Sequence, residues 1–378
     1  MVAVYNENVV IKAMTDYGYS LVEARRFAND GCWETQVPGK TRFGYMPFDS
    51  LALLQLKTLN SYEAIEFSTF NALYSAYVKD LKTEVNTICK KLANSEILNR
   101  DLDIKNVRPT SVVSLFVDGC IDNARSYFEL GPIYNVLSPH IGGLADTVNS
   151  LYAIKKLVFD DKKVSFNEYM LALKNNWKNY QSVYALARSL SYYGTDNDEV
   201  DGIYANLVNE FYLACNEADV YGYVKFPAGA STFGREIEWL PNRLAGAFGS
   251  KVGDILASNS SPTPNTDTEG VTAVIKSYTK ADLTKLVTGT ALDVKIAPTT
   301  LYGEKGVAVL KSLLKGFVSL GGYFMQLDTV SATTLKKAKE NPTDYKTLSV
   351  RVSGWNARFI TLTNEWQDMI IQRTERNG

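Results

Sequence analysis

The stretch Leu348-Ser349-Val350-Arg351-Val352-Ser353-Gly354-Trp355-Asn356-Ala357-Arg358-Phe359 is the most informative part of this chain. Leu348, Val350 and Val352 alternate with polar neighbours, as in a half-buried strand, and Ser353-Gly354 interrupts the alternation. The following Thr363-Asn364-Glu365-Trp366-Gln367-Asp368-Met369-Ile370-Ile371-Gln372-Arg373-Thr374 reads as a helix. Taken alone, a glycine after a strand marks a turn and nothing more.

Upstream, Tyr323 to Val330 is a second short strand, and Gly321-Gly322 stops a helix over Glu304 to Leu320. Apolar residues at Leu73, Tyr77, Leu81, Val85, Ile88 and Leu92 recur every three or four positions and line one face of a long helix beginning at Phe70. Further helices are expected at Ala145 to Phe159, at Asn167 to Trp177 behind the capping pattern Ser165-x-x-Glu168, and at Val200 to Cys215. Helices interleaved with short strands indicate an α/β fold. The polar run Ser258 to Gly270 reads as a linker and surface loop, dividing residues 1–257 from residues 258–378.

Composition narrows the chemistry. Forty Lys and Arg balance 41 Asp and Glu, so no basic footprint invites nucleic acid or an anionic membrane. No run approaches the roughly 18 apolar residues of a membrane span, and the first residues lack the basic-then-apolar order of a signal peptide, so a cytoplasmic protein is expected. Cys32, Cys89, Cys120 and Cys215 are too scattered for a zinc motif or a disulfide framework, and no metal site is expected. His140 is the single histidine, too little for a Ser-His-Asp hydrolase. A phosphate-cradling P-loop sequence is absent as well.

Near the start, Glu23-Ala24-Arg25-Arg26 precedes Asn29-Asp30-Gly31-Cys32-Trp33-Glu34, and Pro38-Gly39-Lys40 follows. A lone cysteine is most often a small buried hydrophobe. In this setting, however, Gly-Cys-x-Glu resembles the active-site cysteine loop of the pyruvate formate-lyase-like glycyl radical enzymes. Arg351-Val352-Ser353-Gly354-Trp355 resembles the same family's glycyl radical motif, with Trp355 where tyrosine is usual. Agreement continues between the two. Asp118-Gly119-Cys120, Gly131-Pro132-Ile133-Tyr134-Asn135 and Ala145 to Phe159 are similar to family segments, and Ser261 to Ala273 fits with Asn265 and Val271 as departures. Ala245 to Ser250 departs clearly from the loop the family has there.

The resemblance implies half of a ten-stranded β/α barrel, with residues 1–257 forming the second half-barrel with its cysteine loop and residues 258–378 the glycyl radical domain. Family members are about twice this long, so a partner chain is expected to supply the other half-barrel and much of the substrate pocket. The implied catalytic residues are Gly354 as radical store, Cys32 as thiyl and Glu34 as base on a substrate hydroxyl. Tyr134, Asn135 and His140 are implied substrate contacts, although a satisfied core histidine remains the other reading of His140. No cofactor is held permanently; a radical S-adenosylmethionine activating enzyme installs the radical on Gly354.

Glycine suits that role on physical grounds. An unpaired electron on Cα spreads into both flanking peptides only if the centre flattens, and a Cβ would then clash with the neighbouring carbonyls. The family's pyruvate formate-lyase branch has two adjacent cysteines where this chain has Gly31-Cys32, so the resemblance disfavours acyl transfer from pyruvate. The expected reaction is therefore radical elimination from a small hydroxylated substrate, as a dehydratase or lyase, in an anaerobic cell. An arylacetate-type decarboxylase and a non-catalytic or rescue subunit are the alternatives.

Overall fold

The computed structural model describes residues 2–101, 111–218, 222–232, 234–352 and 354–375. Ser353 of the glycine motif lies outside them. Among the described residues there are ten strands: β1 (Val2–Tyr5), β2 (Ala28–Asn29), β3 (Thr35–Gln36), β4 (Thr41–Asp49), β5 (Tyr134–Gly142), β6 (Gly229–Ala230), β7 (Ala291–Lys295), β8 (Phe324–Asp328), β9 (Ser349–Arg351) and β10 (Asn356–Arg358).

Five of them form a parallel wall. β4 runs alongside β5 from Thr41↔Tyr134 to Asp49↔Gly142, and β5 alongside β6 at His140↔Gly229. A single parallel bridge, Ala230↔Thr290, carries the order across to β7, which pairs with β8 from Ala291↔Phe324 to Lys295↔Asp328. β1 closes this side antiparallel to β8, from Val2↔Leu327 to Tyr5↔Phe324. On the opposite side, β4 has no ladder partner beyond β5 among the described residues. Pro47, which has no backbone N–H to donate, sits on that edge strand.

Parallel strands need long crossovers, and helices supply them. The helix Phe70–Asp101 follows β4 and packs on Asp198–Ala218, which packs on Leu144–Ile154. These helices pack on one another and against the wall, and β5 is buried at every position from Asn135 to Gly142. Leu73, Tyr77, Leu81, Val85 and Ile88 all lie in the core, as their spacing predicts. No described helix is long and apolar enough to cross a membrane.

Where elements end differs from expectation for local reasons. Ser165 caps the helix Phe166–Lys174 by accepting the Glu168 N–H at 3.2 Å. That helix stops short of Trp177, because Asn176 and Trp177 take positive φ and the buried indole turns to donate to the Ser250 carbonyl at 2.9 Å. β8 ends at Asp328, whose carboxylate accepts the N–H groups of Thr329 and Val330.

The run from Ser258 corrects the surface-loop reading. Ser258, Asn259, Ser260, Ser261, Thr263 and Thr266 are all buried. Ser260 N–H donates to the Ala291 carbonyl at 3.1 Å, and Ser261 Oγ accepts from Asp293 N–H at 2.8 Å, so the run borders β7. Thr263 donates to Asp146 at 2.6 Å and receives Asn149 Nδ2 at 3.0 Å. The side chains of Asn259, Ser260, Ser261, Thr263 and Thr266, which would suit solvent, find polar partners inside the fold. One apolar core extends through this region to Leu327, while Leu335, Ala338, Val350, Phe359, Met369, Ile370 and Ile371 form a separate small core under the C-terminal helix.

The end of β4 is fixed by a buried ion pair. Arg243 donates to both Asp49 oxygens, at 2.7 and 3.1 Å, with the guanidinium 2% and the carboxylate 8% exposed. Asp49 Oδ1 also accepts the Leu51 and Ala52 N–H groups at the next helical turn. Gly143, at φ +66°, lets the backbone pass close by: a Cβ there would stand 2.9 Å from both Arg243 Nη2 and Asp49 Oδ1. Asp146, fully buried nearby, is pushed up to about 6 by burial, with Arg243 acting the other way. Arg243→Met leaves Asp49 buried without its countercharge, so urea unfolding should show a loss of about 3–5 kcal/mol. Adding Asp49→Asn should recover most of that loss; equal losses in the single and double variants would contradict the pairing.

Candidate active site

The cysteine loop is the tip of a small hairpin. β2 pairs with β3 at Ala28↔Gln36 and Asn29↔Thr35, and Asp30 N–H donates to the Glu34 carbonyl at 3.2 Å. Inside the turn, Asp30 Oδ1 accepts the Cys32 N–H at 3.2 Å, and Asn29 Nδ2 donates to the Cys32 carbonyl at 3.3 Å. Asn and Asp commonly organise turns in this way, and Gly31 supplies a φ of +129°. The base of the hairpin is tied to the wall. Thr35 N–H donates to the Thr288 carbonyl, and the Thr35 hydroxyl bonds Tyr323 Oη at 2.8 Å. Trp33 is fully buried and stacks on Phe324 with ring centroids 6.3 Å apart.

The glycine motif makes a second hairpin. β9 pairs with β10 from Asn356↔Arg351 to Arg358↔Ser349, and Val352 N–H closes the turn on the Trp355 carbonyl at 2.9 Å. Arg351 Nε donates to Gln326 of β8 at 2.7 Å, holding the turn against the wall. Gly354 is buried at its tip with φ +87°. A Cβ on Gly354 would lie 2.5 Å from Cys32 Cβ, 2.7 Å from Cys32 Sγ and 2.6 Å from Trp33 Cζ3. Since Cβ would be about 1.5 Å from Cα, the Gly354 Cα is within about 4.2 Å of the sulfur. Both the backbone conformation and the space therefore require glycine here.

Charge around the tip keeps the hydrogens in place. The Cys32 thiol is pushed up to about 12 by burial, then by Glu34 and Asp30, with Arg351 opposing. It is an S–H group at neutral pH and not a thiolate nucleophile. Glu34 is completely buried and is pushed up to about 10 by burial, then by its contact with Asp30. Its Oε2 accepts the Trp33 N–H at 3.2 Å, while Oε1 meets no donor. Donor atoms of Asp30, Cys32 and Glu34 all lie within 4.8 Å of one another. A metal would need the thiol and Glu34 as anions, and burial disfavours both anions. The cluster is better suited to passing hydrogen and protons.

Of the remaining sequence candidates, His140 is the one near this tip. It is fully buried on β5, with Nδ1 2.9 Å from Ser231 Oγ and Nε2 3.2 Å from the hydroxyl of Thr288, the residue whose carbonyl receives Thr35. Burial pushes it down to about 3, so the ring is neutral. Tyr134 and Asn135 lie at the other end of β5, six residues and about 20 Å of strand away. There Tyr134 Oη donates to Glu23 at 2.8 Å, Lys40 reaches the same carboxylate at 3.0 Å, and Asn135 Nδ2 donates to the Pro132 carbonyl at 2.9 Å. These bonds tie the start of β5 to Glu23 and to the segment just before the strand.

Tyr45 was not singled out by its sequence. It projects from edge strand β4 with its ring 5.9 Å from that of His140, and its phenol is pushed up by burial and by Glu34, Asp30 and Cys32. No motif distinguishes Gly44-Tyr45-Met46 from any other strand; only its register opposite Ser138 brings it here.

Comparison with known proteins fits this geometry. The family model for pyruvate formate lyase-like proteins matches residues 1–238, and that for the glycine radical matches residues 256–360. Trans-4-hydroxy-L-proline dehydratase of Clostridioides difficile is 29% identical, over 99% of this chain and 48% of its own length. (2S)-3-sulfopropanediol dehydratase of Klebsiella oxytoca is 26% identical, over 98% and 47%. The glycerol-bound B12-independent glycerol dehydratase of Clostridium butyricum superposes with a TM-score of 0.91 at 29% identity, over 99% of this chain and 48% of that one. The chain thus spans about half the length of the relatives it matches. A polypeptide that follows the first family model over residues 1–238 and the second through its glycine loop belongs to the pyruvate formate lyase-like glycyl radical enzymes.

Proposed function

We propose that this chain is the radical-carrying part of a glycyl radical dehydratase or lyase acting on a small hydroxylated substrate. The observation that carries the reading is the approach of the Gly354 Cα to Cys32 Sγ, with Glu34 beside the sulfur. A separate radical S-adenosylmethionine enzyme removes one α-hydrogen from Gly354. The glycyl centre then takes the hydrogen of the Cys32 thiol, and the thiyl takes one from a substrate carbon. Atoms nearly in contact make such transfers direct. Glu34, once ionised, accepts the proton of the substrate hydroxyl, which raises electron density at the radical carbon and drives out the neighbouring group. Cys32 returns its hydrogen to the product radical. His140, neutral and held by Ser231 and Thr288, supports a wall position beside the substrate.

The barrel reading extends beyond these residues. Among the described residues the nine-residue strand β4 has no ladder partner on its outer edge, and Phe43, Tyr45 and Met46 on it are only partly covered. We read this edge as the seam where strands of a partner subunit complete the barrel, with residues 258–378 as the glycyl radical unit. Such a seam should bury more than about 2,000 Å².

Anaerobic treatment with an activating enzyme should give an organic-radical paramagnetic signal split into a doublet by the remaining α-hydrogen. Gly354→Ala should abolish it with the thermal transition still present, whereas Cys32→Ser should keep the signal and lose turnover. A doublet surviving in Gly354→Ala would sink the assignment. For Glu34→Gln, turnover of the assembled enzyme should fall by at least about a hundredfold with KM changed far less. Retention of turnover within about threefold would exclude Glu34 as the base. Light scattering on this chain alone and on a co-expressed pair should show a heteromer only in the second case, and turnover by a monomer of this chain would overturn the partner reading.

A further inference from the structure

The Cys32 hairpin rests on a segment that a buried chain of hydroxyls and one imidazole holds from behind. Thr35, on the strand that leaves the cysteine turn, donates its N–H to the Thr288 carbonyl at 3.3 Å and its hydroxyl to the Val287 carbonyl at 2.9 Å. Gly289, next along, lies so close that a Cβ on it would stand 2.8 Å from the Trp33 carbonyl oxygen. Behind this segment the Thr288 hydroxyl faces Ser138 Oγ at 2.6 Å, the Ala228 carbonyl at 3.1 Å and His140 Nε2 at 3.2 Å. Ser138 Oγ also meets the Pro227 carbonyl at 2.6 Å, and His140 Nδ1 lies 2.9 Å from Ser231 Oγ. Ser138, His140, Ser231 and Thr288 are all buried. β6 leaves no slack around them: a Cβ on Gly229 would stand 2.3 Å from His140 Nε2 and 2.5 Å from the Thr288 hydroxyl.

The supply of hydrogens decides which ring nitrogen is protonated. Between them Ser138 and Thr288 make four polar approaches: to the Pro227 carbonyl, to each other, to the Ala228 carbonyl and to His140. Each hydroxyl brings one hydrogen and the carbonyls bring none. A bare Nε2 would leave two hydrogens to serve all four, whereas a protonated Nε2 adds a third and frees the Thr288 hydrogen for an oxygen. Nδ1, then bare, accepts the hydrogen of the Ser231 hydroxyl, so both ring nitrogens are bonded within the wall. We infer that His140 carries its proton on Nε2 and donates it to Thr288, and that Thr288, gripped in this way, is a positioning residue that holds the Cys32 hairpin at its contact with Gly354. The positioning role rests on the reading of Cys32 as the hydrogen carrier. Thr288 acts through its main-chain carbonyl on Thr35, and touches neither the sulfur nor the substrate. Hydrogen transfer between Cys32 and Gly354 tolerates little displacement, so a loosened seat slows the chemistry more than it weakens binding.

His140 is the single histidine, so a long-range proton–nitrogen magnetic resonance spectrum of this chain with isotope-labelled histidine reads its state directly. The protonated nitrogen should be Nε2, the one coupled strongly to both ring C–H hydrogens. A proton on Nδ1, or on both nitrogens, would overturn the pairing. Thr288→Val keeps the side-chain shape but removes the acceptor, and Thr288→Ser keeps the acceptor. In the activated, assembled enzyme Thr288→Val should form the glycyl doublet to the wild-type extent while kcat falls at least about tenfold and KM moves less than about twofold. Thr288→Ser should recover most of kcat and the wild-type histidine spectrum. Should Thr288→Val lack a thermal transition, Thr288→Ala carries the same expectation. If Cys32→Ser abolishes turnover while the Thr288 variant leaves kcat within about threefold, the positioning role is wrong and the carrier reading stands. If Cys32→Ser turns over normally, the carrier reading fails and the positioning role with it.

Discussion

Hydrogen moves between a carbon and a sulfur only when the two are nearly touching, and in the proposed reaction the carbon is a Cα with no side chain. That contact, between Gly354 and Cys32, brings together two hairpin tips from opposite ends of the chain. Much of the surrounding fold acts to hold them there. The cysteine hairpin hangs from Thr288 and Tyr323, the glycine hairpin from Gln326 of β8, and β1 and β8 bind the N-terminal residues to the C-terminal third. Trp33, stacked on Phe324 and lying against Gly354, fills the space beside the contact.

Burial has a second effect at this site. The same desolvation that packs the two tips keeps the Cys32 thiol and the Glu34 carboxyl protonated. For the proposed role of the sulfur this is an advantage, because a radical relay needs the S–H bond and a thiolate is open to other chemistry. For the proposed role of Glu34 as base it is a constraint, because the same environment opposes the charged form that role needs.

The wall behind the site is held by polar groups as much as by apolar ones. Asp49 and Arg243 lock the end of β4 against the loop before the helix Leu144–Ile154, and the buried run from Ser258 to Thr266 links Asp146, Asn149 and β7. Composition alone cannot identify such a layer, because serine, threonine and asparagine have the same appearance whether water or other buried groups satisfy them. That is why this run resembles a linker in sequence yet lies in the interior. Trp177 carries a similar lesson, since its helical spacing is overridden by a hydrogen bond to Ser250 that lies 73 positions away.

Local order was legible from the residues themselves. The heptad-like spacing from Leu73 to Ile88, the Ser165 cap, the alternation at Leu348 to Val352 and the special status of Gly354 and Cys32 all depend on near neighbours or on short motifs. Tertiary structure decided what depends on distant groups meeting. It set the five-strand parallel order, which rests partly on the lone Ala230↔Thr290 bridge, and it placed Tyr45 beside His140 through strand register. It also separated Tyr134 and Asn135 from His140, because residues a few positions apart on one extended strand lie at opposite ends of it. Glu34 shows the division most clearly: its place after Gly-Cys-x carries the resemblance, but only the fold buries it and raises its proton affinity.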